Sequence, residues 1–188
     1  MANGDINHPR FPSRLRLSGE GLVLREWSDD DLPAMVELFE DPDVACWTPL
    51  ASPFDAPAAR GYLSRARQKR VDDLSIQLAI TTDGQLPLGE ILLFRQDAND
   101  RTASLGYTVG AAHRGKRLGS RALKVMTEYA HHTADMPRVT LSIAAENGAS
   151  VAVARAAGYL LTNEPQVSKV NKGRPLTMQL WAHDHPAR

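Results

Sequence analysis

Three β-patterned runs follow one another through the middle of the chain, "LSIQLAITT", "LGEILLFRQ" and "TASLGYTVG", and only short turns join them. Short turns imply antiparallel pairing, because a parallel crossover needs a dozen or more residues. The third run passes directly into "AAHRGKRLGSRAL", a basic, glycine-containing turn that opens a helix. Strand, turn and long helix in that order, after an antiparallel start, constrain the fold more than any other stretch. They also raise a question of function. Gly110 to Lys116 spells G-x-x-x-x-G-K, the spacing of a nucleotide-binding P-loop.

A P-loop needs Ser or Thr after its lysine to hold magnesium, and Arg117 stands there instead. It also opens a parallel βαβ unit, which the preceding runs do not supply. Two other readings remain. The stretch is either the basic start of a surface helix or an anion cradle of another kind. Free N–H groups of a first helical turn, aided by the helix dipole, attract negative charge. Arg114, Lys116 and Arg117 beside them suit several phosphate charges, and the position between strand and amphipathic helix favours the cradle.

The rest of the chain reads as one domain. Residues 1–13 are rich in Asn, Gly, Pro and Asp and read as a flexible lead-in, with the domain over 14–184. "RLRLSGEGLVLREW" alternates apolar and polar positions and pivots on Gly19 and Gly21, which predicts one strand or a bent pair. Ser28 then caps a helix with acidic Asp29, Asp30 and Asp31 in its first turn, and Asp41-Pro42 ends it. A second helix starts near Asp55 or Pro57. The helix after the basic turn places Leu118, Ala122, Leu123, Met126 and Ala130 on one face. "RVTLSIAA" is strand-like, "ENGASVAVARAAGY" is a helix that stops at Gly158, and a last hairpin flanks "NKGR".

Composition removes several function classes. Lys+Arg and Asp+Glu balance at 22 each, so no global field points to nucleic acid or to a membrane surface. Cys46 is the only cysteine, which excludes an intramolecular disulfide and argues against a zinc cluster. The N-terminus lacks the apolar run of a signal peptide, and no stretch approaches the roughly 20 apolar residues of a membrane helix. A cytoplasmic protein is expected.

"AAHRGKRLGSRAL" resembles the acyl-coenzyme A pyrophosphate loop of the GNAT N-acetyltransferases, [Gln/Arg]-x-x-Gly-x-[Gly/Ala]. Arg114 and Gly119 match its first and last positions, and Arg117 stands where the first Gly is usual. The resemblance runs from about Leu15 to Trp181. "LVLREWSDDDLPAMVELFEDPDVACWTP" is similar to the opening of the RimJ/RimL-like branch, the ribosomal-protein N-terminal acetyltransferases. "SLGYTVG" resembles that branch's Glu-Ile-Gly-Tyr strand, and "ENGASVAVARAAGY" its Glu-Asn-x-x-Ser helix. The resemblance implies a single α+β GNAT domain. Its central sheet would be mixed and mostly antiparallel, with about seven strands flanked by about four helices.

It also implies a chemistry. Acetyl transfer from a thioester to an amine needs an anchored coenzyme, an oxyanion donor, a deprotonated amine and a proton for the leaving thiolate. By resemblance, the pyrophosphate of acetyl-CoA sits over Arg114, Gly115, Lys116, Arg117, Leu118, Gly119 and Ser120. The pantetheine arm lies along Tyr107, Thr108 and Val109, and Asn147 contacts it. Ser150 delivers a proton to the sulfur, since Ala154 stands where many relatives carry a Tyr acid. Ser104 replaces the Glu that relatives carry on that strand, so Glu90 is the carboxylate left as general base. Trp47 and Thr48 lie where the branch forms its acceptor groove.

Each residue also has a plainer role: strand packing for Gly106-Tyr107, a helix cap for Asn147, a buried hydroxyl for Ser150. Glu90 is equally a solvent-facing or salt-bridged strand residue, and Trp47 equally core. His113 reads as a phosphate neighbour or solvated, and Cys46 as packing. The expected protein is an acetyl-CoA-dependent N-acetyltransferase without metal, a monomer or homodimer, acting on a peptide N-terminus or a small amine and releasing coenzyme A. The alternative is a GNAT-fold domain that binds acyl-CoA as a sensor or partner protein.

Overall fold

The computed structural model describes residues 10–98 and 100–185. The Gly19–Gly21 pivot resolves into a pair, β1 (Arg16–Gly19) and β2 (Leu22–Glu26), turned by left-handed backbone at Glu20 and Gly21. Ser28 starts the helical stretch through a capping box with Asp31, but only as a 3-10 turn over Asp29–Asp31. The helix α1 (Leu32–Phe39) follows, buries Met35, Leu38 and Phe39, and stops before Asp41-Pro42. That dipeptide ends one helix and starts another. Asp41 is extended, as a residue before Pro must be, and its carboxylate accepts from Asp43 N and Val44 N to cap α2 (Pro42–Trp47). The short α2 is the element beyond the sequence expectation. Asp55 caps α3 (Ala56–Val71) by accepting from Ala58 N at 2.9 Å.

The three central runs form β3 (Ser75–Thr81), β4 (Gly89–Phe94) and β5 (Thr102–Val109), antiparallel in succession. Then come α4 (Leu118–His132), β6 (Arg138–Ala144) and α5 (Gly148–Ala156), closed by Gly158 at φ +90°. "LLTNEPQVSKV" splits around its Asn-Glu-Pro stretch into β7 (Leu160–Leu161) and β8 (Val167–Asn171). Both pair with the long last strand β9 (Arg174–Asp184). The two splits raise the count to a nine-stranded sheet, ordered β1-β2-β3-β4-β5-β6-β9-β7 with β8 also on β9. No helix among the described residues is long and apolar enough to cross a membrane.

Side-chain alternation divides the core between the two faces of this sheet. Ile91, Leu93, Leu105 and Leu141 pack on Leu118, Ala122, Leu123 and Met126 of α4. On the other face Trp27, Phe39, Phe54 and Leu63 pack with Ala79 under α1 to α3. Phe11, inside the expected lead-in, is 7% exposed, donates its N–H to Asp73 and lies under the Arg95 guanidinium. Residues 1–9 of that lead-in lie outside the described residues.

Candidate active site

The sheet opens beside the basic turn. The parallel pairing of β5 with β6 covers only Thr102, Ala103 and Ser104 against Arg138, Val139 and Thr140, and a Ser104–Thr140 hydroxyl contact of 2.9 Å closes it. Beyond that point β5 stays paired to β4 as far as Val109, while β6 stays paired to β9 as far as Ala144. The two strands therefore part into a wedge with one backbone edge on each side. Such edges hold N–H and C=O groups that an extended amide-bearing arm can pair with.

At the mouth of the wedge, Gly110 leads into a 3-10 turn (Ala111–His113) and then the basic loop. Gly115 has φ +79° and Arg117, the cap of α4, has φ +57°. Arg117 thus takes the left-handed backbone that a glycine prefers, at a cost of about 1–2 kcal/mol, and its side chain is exposed. Arg114 to Arg117 are all exposed, whereas Leu118, Gly119 and Ser120 are buried. Gly119 is small for a packing reason: a Cβ there would lie 3.0 Å from Cε2 of Tyr107 and 3.4 Å from Val153. Arg114 carries its charge elsewhere. Its guanidinium donates to Asp41 Oδ1 and Asp43 Oδ2, both at 2.7 Å, and its Nε to Val109 O at 3.3 Å.

Tyr107 is where loop, strand and α5 meet. Its hydroxyl pairs with the side chain of Ser150, and burial raises its pKa. Asn147 caps α5, its Oδ1 accepting from Ser150 N at 3.0 Å, so Asn147, Ser150 and Tyr107 form one group along the wedge. The plainer role expected of Asn147, a helix cap, is the one these contacts form. The Tyr107 hydroxyl was missed by sequence reasoning, which used only that residue's backbone; the β-alternation of "SLGYTVG" already set it on the helix side.

Glu90 points to the opposite face, in register with Thr108. It is 1% exposed and accepts from Trp27 Nε1 at 3.0 Å and Tyr62 OH at 2.6 Å, while Gln77 Nε2 donates to Tyr62 OH at 2.9 Å. Burial lifts its pKa to about 7, and the hydrogen bonds from Tyr62 and Trp27 restrain the rise. It is neither solvent-facing nor salt-bridged, and it reaches other groups only through Tyr62 and Trp27. Glu90 and Ser150 therefore stand on opposite faces of the sheet.

Trp47 and Thr48 end α2, half-buried. The tip of the β8–β9 hairpin holds that end: Asn171 Nδ2 donates to Cys46 O at 2.9 Å and Thr48 O at 3.2 Å, and Lys172 Nζ to Ala45 O at 2.8 Å. The Arg174 guanidinium lies 4.7 Å from the Trp47 ring centroid. So α2 is tied at its start to the basic loop and at its end to the hairpin. The contacts that Asp41, Asp43 and the hairpin tip make had no signal in the sequence, since their partners lie 71 to 128 residues away. Among the described residues no group of three or more His, Cys, Asp or Glu could hold a metal ion.

A sheet antiparallel up to the wedge, a basic loop capping the next helix and a second helix beside it make one mixed α/β domain. Residues 21–160 match the Acetyltransferase (GNAT) domain family, and the chain belongs to that family. A comparison with curated protein sequences found no match. Among solved structures, Mycobacterium smegmatis RimJ in complex with CoA-disulfide superposes with TM-score 0.78 at 18% identity, over 91% of this chain and 86% of RimJ. The microcin C7 self-immunity acetyltransferase MccE, bound to acetyl-CoA and AMP, gives 0.78 at 16%, over 89% and 94%. RimL, the ribosomal L7/L12 α-N-protein acetyltransferase, in complex with coenzyme A, gives 0.75 at 18%, over 90% and 98%.

Proposed function

We propose that residues 14–184 transfer the acetyl group of acetyl-CoA to a primary amine, on a peptide or protein N-terminus or on a small molecule, within a ternary complex. The observation that carries this reading is the wedge between β5 and β6, which opens beside the capped start of α4. The loop amides from Gly115 to Ser120 would take the pyrophosphate, aided by Lys116 and Arg117. The pantetheine arm would pair along Tyr107, Thr108 and Val109, with Asn147 at the other side. The amine nitrogen attacks the thioester carbonyl carbon, the C–S bond breaks, and the thiolate takes a proton relayed from solvent water through the Ser150 hydroxyl, which lies beside Tyr107 and regains the proton it passes on. Glu90 accepts the amine's proton through the Tyr62 hydroxyl, which hydrogen-bonds to it. An α-amine, with a pKa near 8, needs less help than a lysine near 10.4.

One observation favours the second reading, an acyl-CoA-binding sensor: the Glu90 carboxylate is enclosed by Trp27 and Tyr62. Thiol release from acetyl-CoA against panels of peptides and small amines separates the two. Turnover on any amine establishes the transferase, and coenzyme binding with no turnover leaves the sensor.

A further inference from the structure

The sheet face opposite α4 carries a charge bias written into its strands. Across β4, β5, β6, β8 and β9 the acids are Glu90 and Asp184. Glu90 is enclosed, and Asp184 accepts from Arg138 at 2.6 and 3.0 Å. Lys169, Lys172 and Arg174 crowd the outer hairpin, with no Asp or Glu between Glu164 and Asp184. The acids that start α2, Asp41 and Asp43, are engaged by Arg114, and Glu40 accepts from Phe54 N. Among the described residues, positive charge on the hairpin therefore faces no unpaired carboxylate from these strands.

Arg174 is the organised member of the group. Its guanidinium is stacked on Trp47, and Nη1 donates to Cys46 Sγ at 2.7 Å. Its register partner Asn171 donates to the carbonyls of Cys46 and Thr48 at the end of α2, which fixes the hairpin tip. Its side chain is nonetheless exposed. An arginine already seated on an aromatic ring loses little more freedom on binding. It presents a planar fork that matches a carboxylate with two parallel N–H···O bonds. Lys169 adds a second exposed cation about 7 Å from Asn171 along the same side of β8.

We propose that Arg174, seated on Trp47, selects acceptors that carry a carboxylate beside the reacting amine: an N-terminus followed by an acidic residue, or a free α-amino acid. This deepens the acetyl-transfer reading and rests on it. Like charge disfavours polyamines and other polycations at the same place.

The test measures thiol release by the wild-type protein at saturating acetyl-CoA on peptides that differ only in an Asp, Asn or Lys second residue. Free amino acids, the same amino acids with amidated carboxyl groups, and spermidine form the other arms. The Asp peptide should exceed the Lys peptide in kcat/KM by about tenfold at low salt, with the ratio shrinking as salt screens the charges. A loss on amidation, with free amino acids preferred over every peptide, identifies the α-carboxylate as the group recognised. Arg174→Glu should reverse the peptide order, and Arg174→Lys should keep its direction while losing most of its size. Equal rates on the Asp and Lys peptides together with no loss on amidating the free amino acids, or an unchanged preference in Arg174→Glu, overturns the proposal. The peptide series needs no variant, so a misfolded Arg174 mutant does not blunt it. Turnover with no carboxylate preference in either the peptide or the amino-acid series sinks this selectivity alone. Acetyl-CoA binding with no amine turned over sinks the transfer reading, and this one with it.

Discussion

Glu90 is a carboxylate that the fold keeps protonated well above its ordinary range. Burial raises its pKa from 4.5 to about 7, so the folded state holds the proton where the unfolded chain has released it. Its contribution to stability is full below pH 4.5 and is lost as the pH rises through about 7. At about 1.36 kcal/mol per unit, the loss is roughly 3 kcal/mol. Glu90→Gln keeps the shape and cannot ionise, so it should gain on the wild type from acid to neutral pH. Melting temperatures of both proteins across that range check this; parallel curves would put the pH dependence elsewhere. Ser150 makes a different test. Ser150→Ala should lower kcat by about 100-fold or less, with little change in the KM for acetyl-CoA, because a hydroxyl relay is partly replaceable by water. The comparison is kcat per folded molecule at saturating substrates over a range of pH, and equal values would leave Ser150 as packing against Tyr107.

At the scale of elements, α2 does more than its six residues suggest. Arg114 joins its first turn to the basic loop, and the hairpin tip joins its last turn to the β8–β9 edge. Arg114→Ala would leave two neighbouring carboxylates without their cation and free the start of the helix that carries Trp47 and Thr48. Both the KM for acetyl-CoA and that for the amine should rise. Arg114→Lys should recover only part of the effect, because a point charge cannot span Asp41 and Asp43 as a fork does. If only the acetyl-CoA term moves, α2 does not link the two sides. The same element shows where sequence reading runs short. Asp41-Pro42 is a correct stop for α1, yet the extended backbone that stops one helix also makes Asp41 a cap for the next.

For the whole molecule, a ligand that binds only the native state stabilises it by RT ln(1 + [L]/Kd), about 2.7 kcal/mol at a hundredfold excess over Kd. Acetyl-CoA should raise the melting temperature accordingly, and ATP with magnesium should not. The reverse result would return Gly110–Lys116 to the P-loop reading. The sequence by itself determined the antiparallel start of the sheet, the α4 face of Leu118, Ala122, Leu123, Met126 and Ala130, and the basic turn between them. These are local matters: period, turn length and capping chemistry act within a few residues. It also carried Asn147 and Ser150, one helical turn apart, to the same end of α5. The parting of β5 from β6 after Ser104, the enclosure of Glu90 by Trp27 and Tyr62, and the seat of Arg174 on Trp47 were decided only by tertiary structure. Each depends on which distant strands and helices come to lie side by side. Burial, charge pairing and pKa follow from that packing and cannot be read from spacing along the chain.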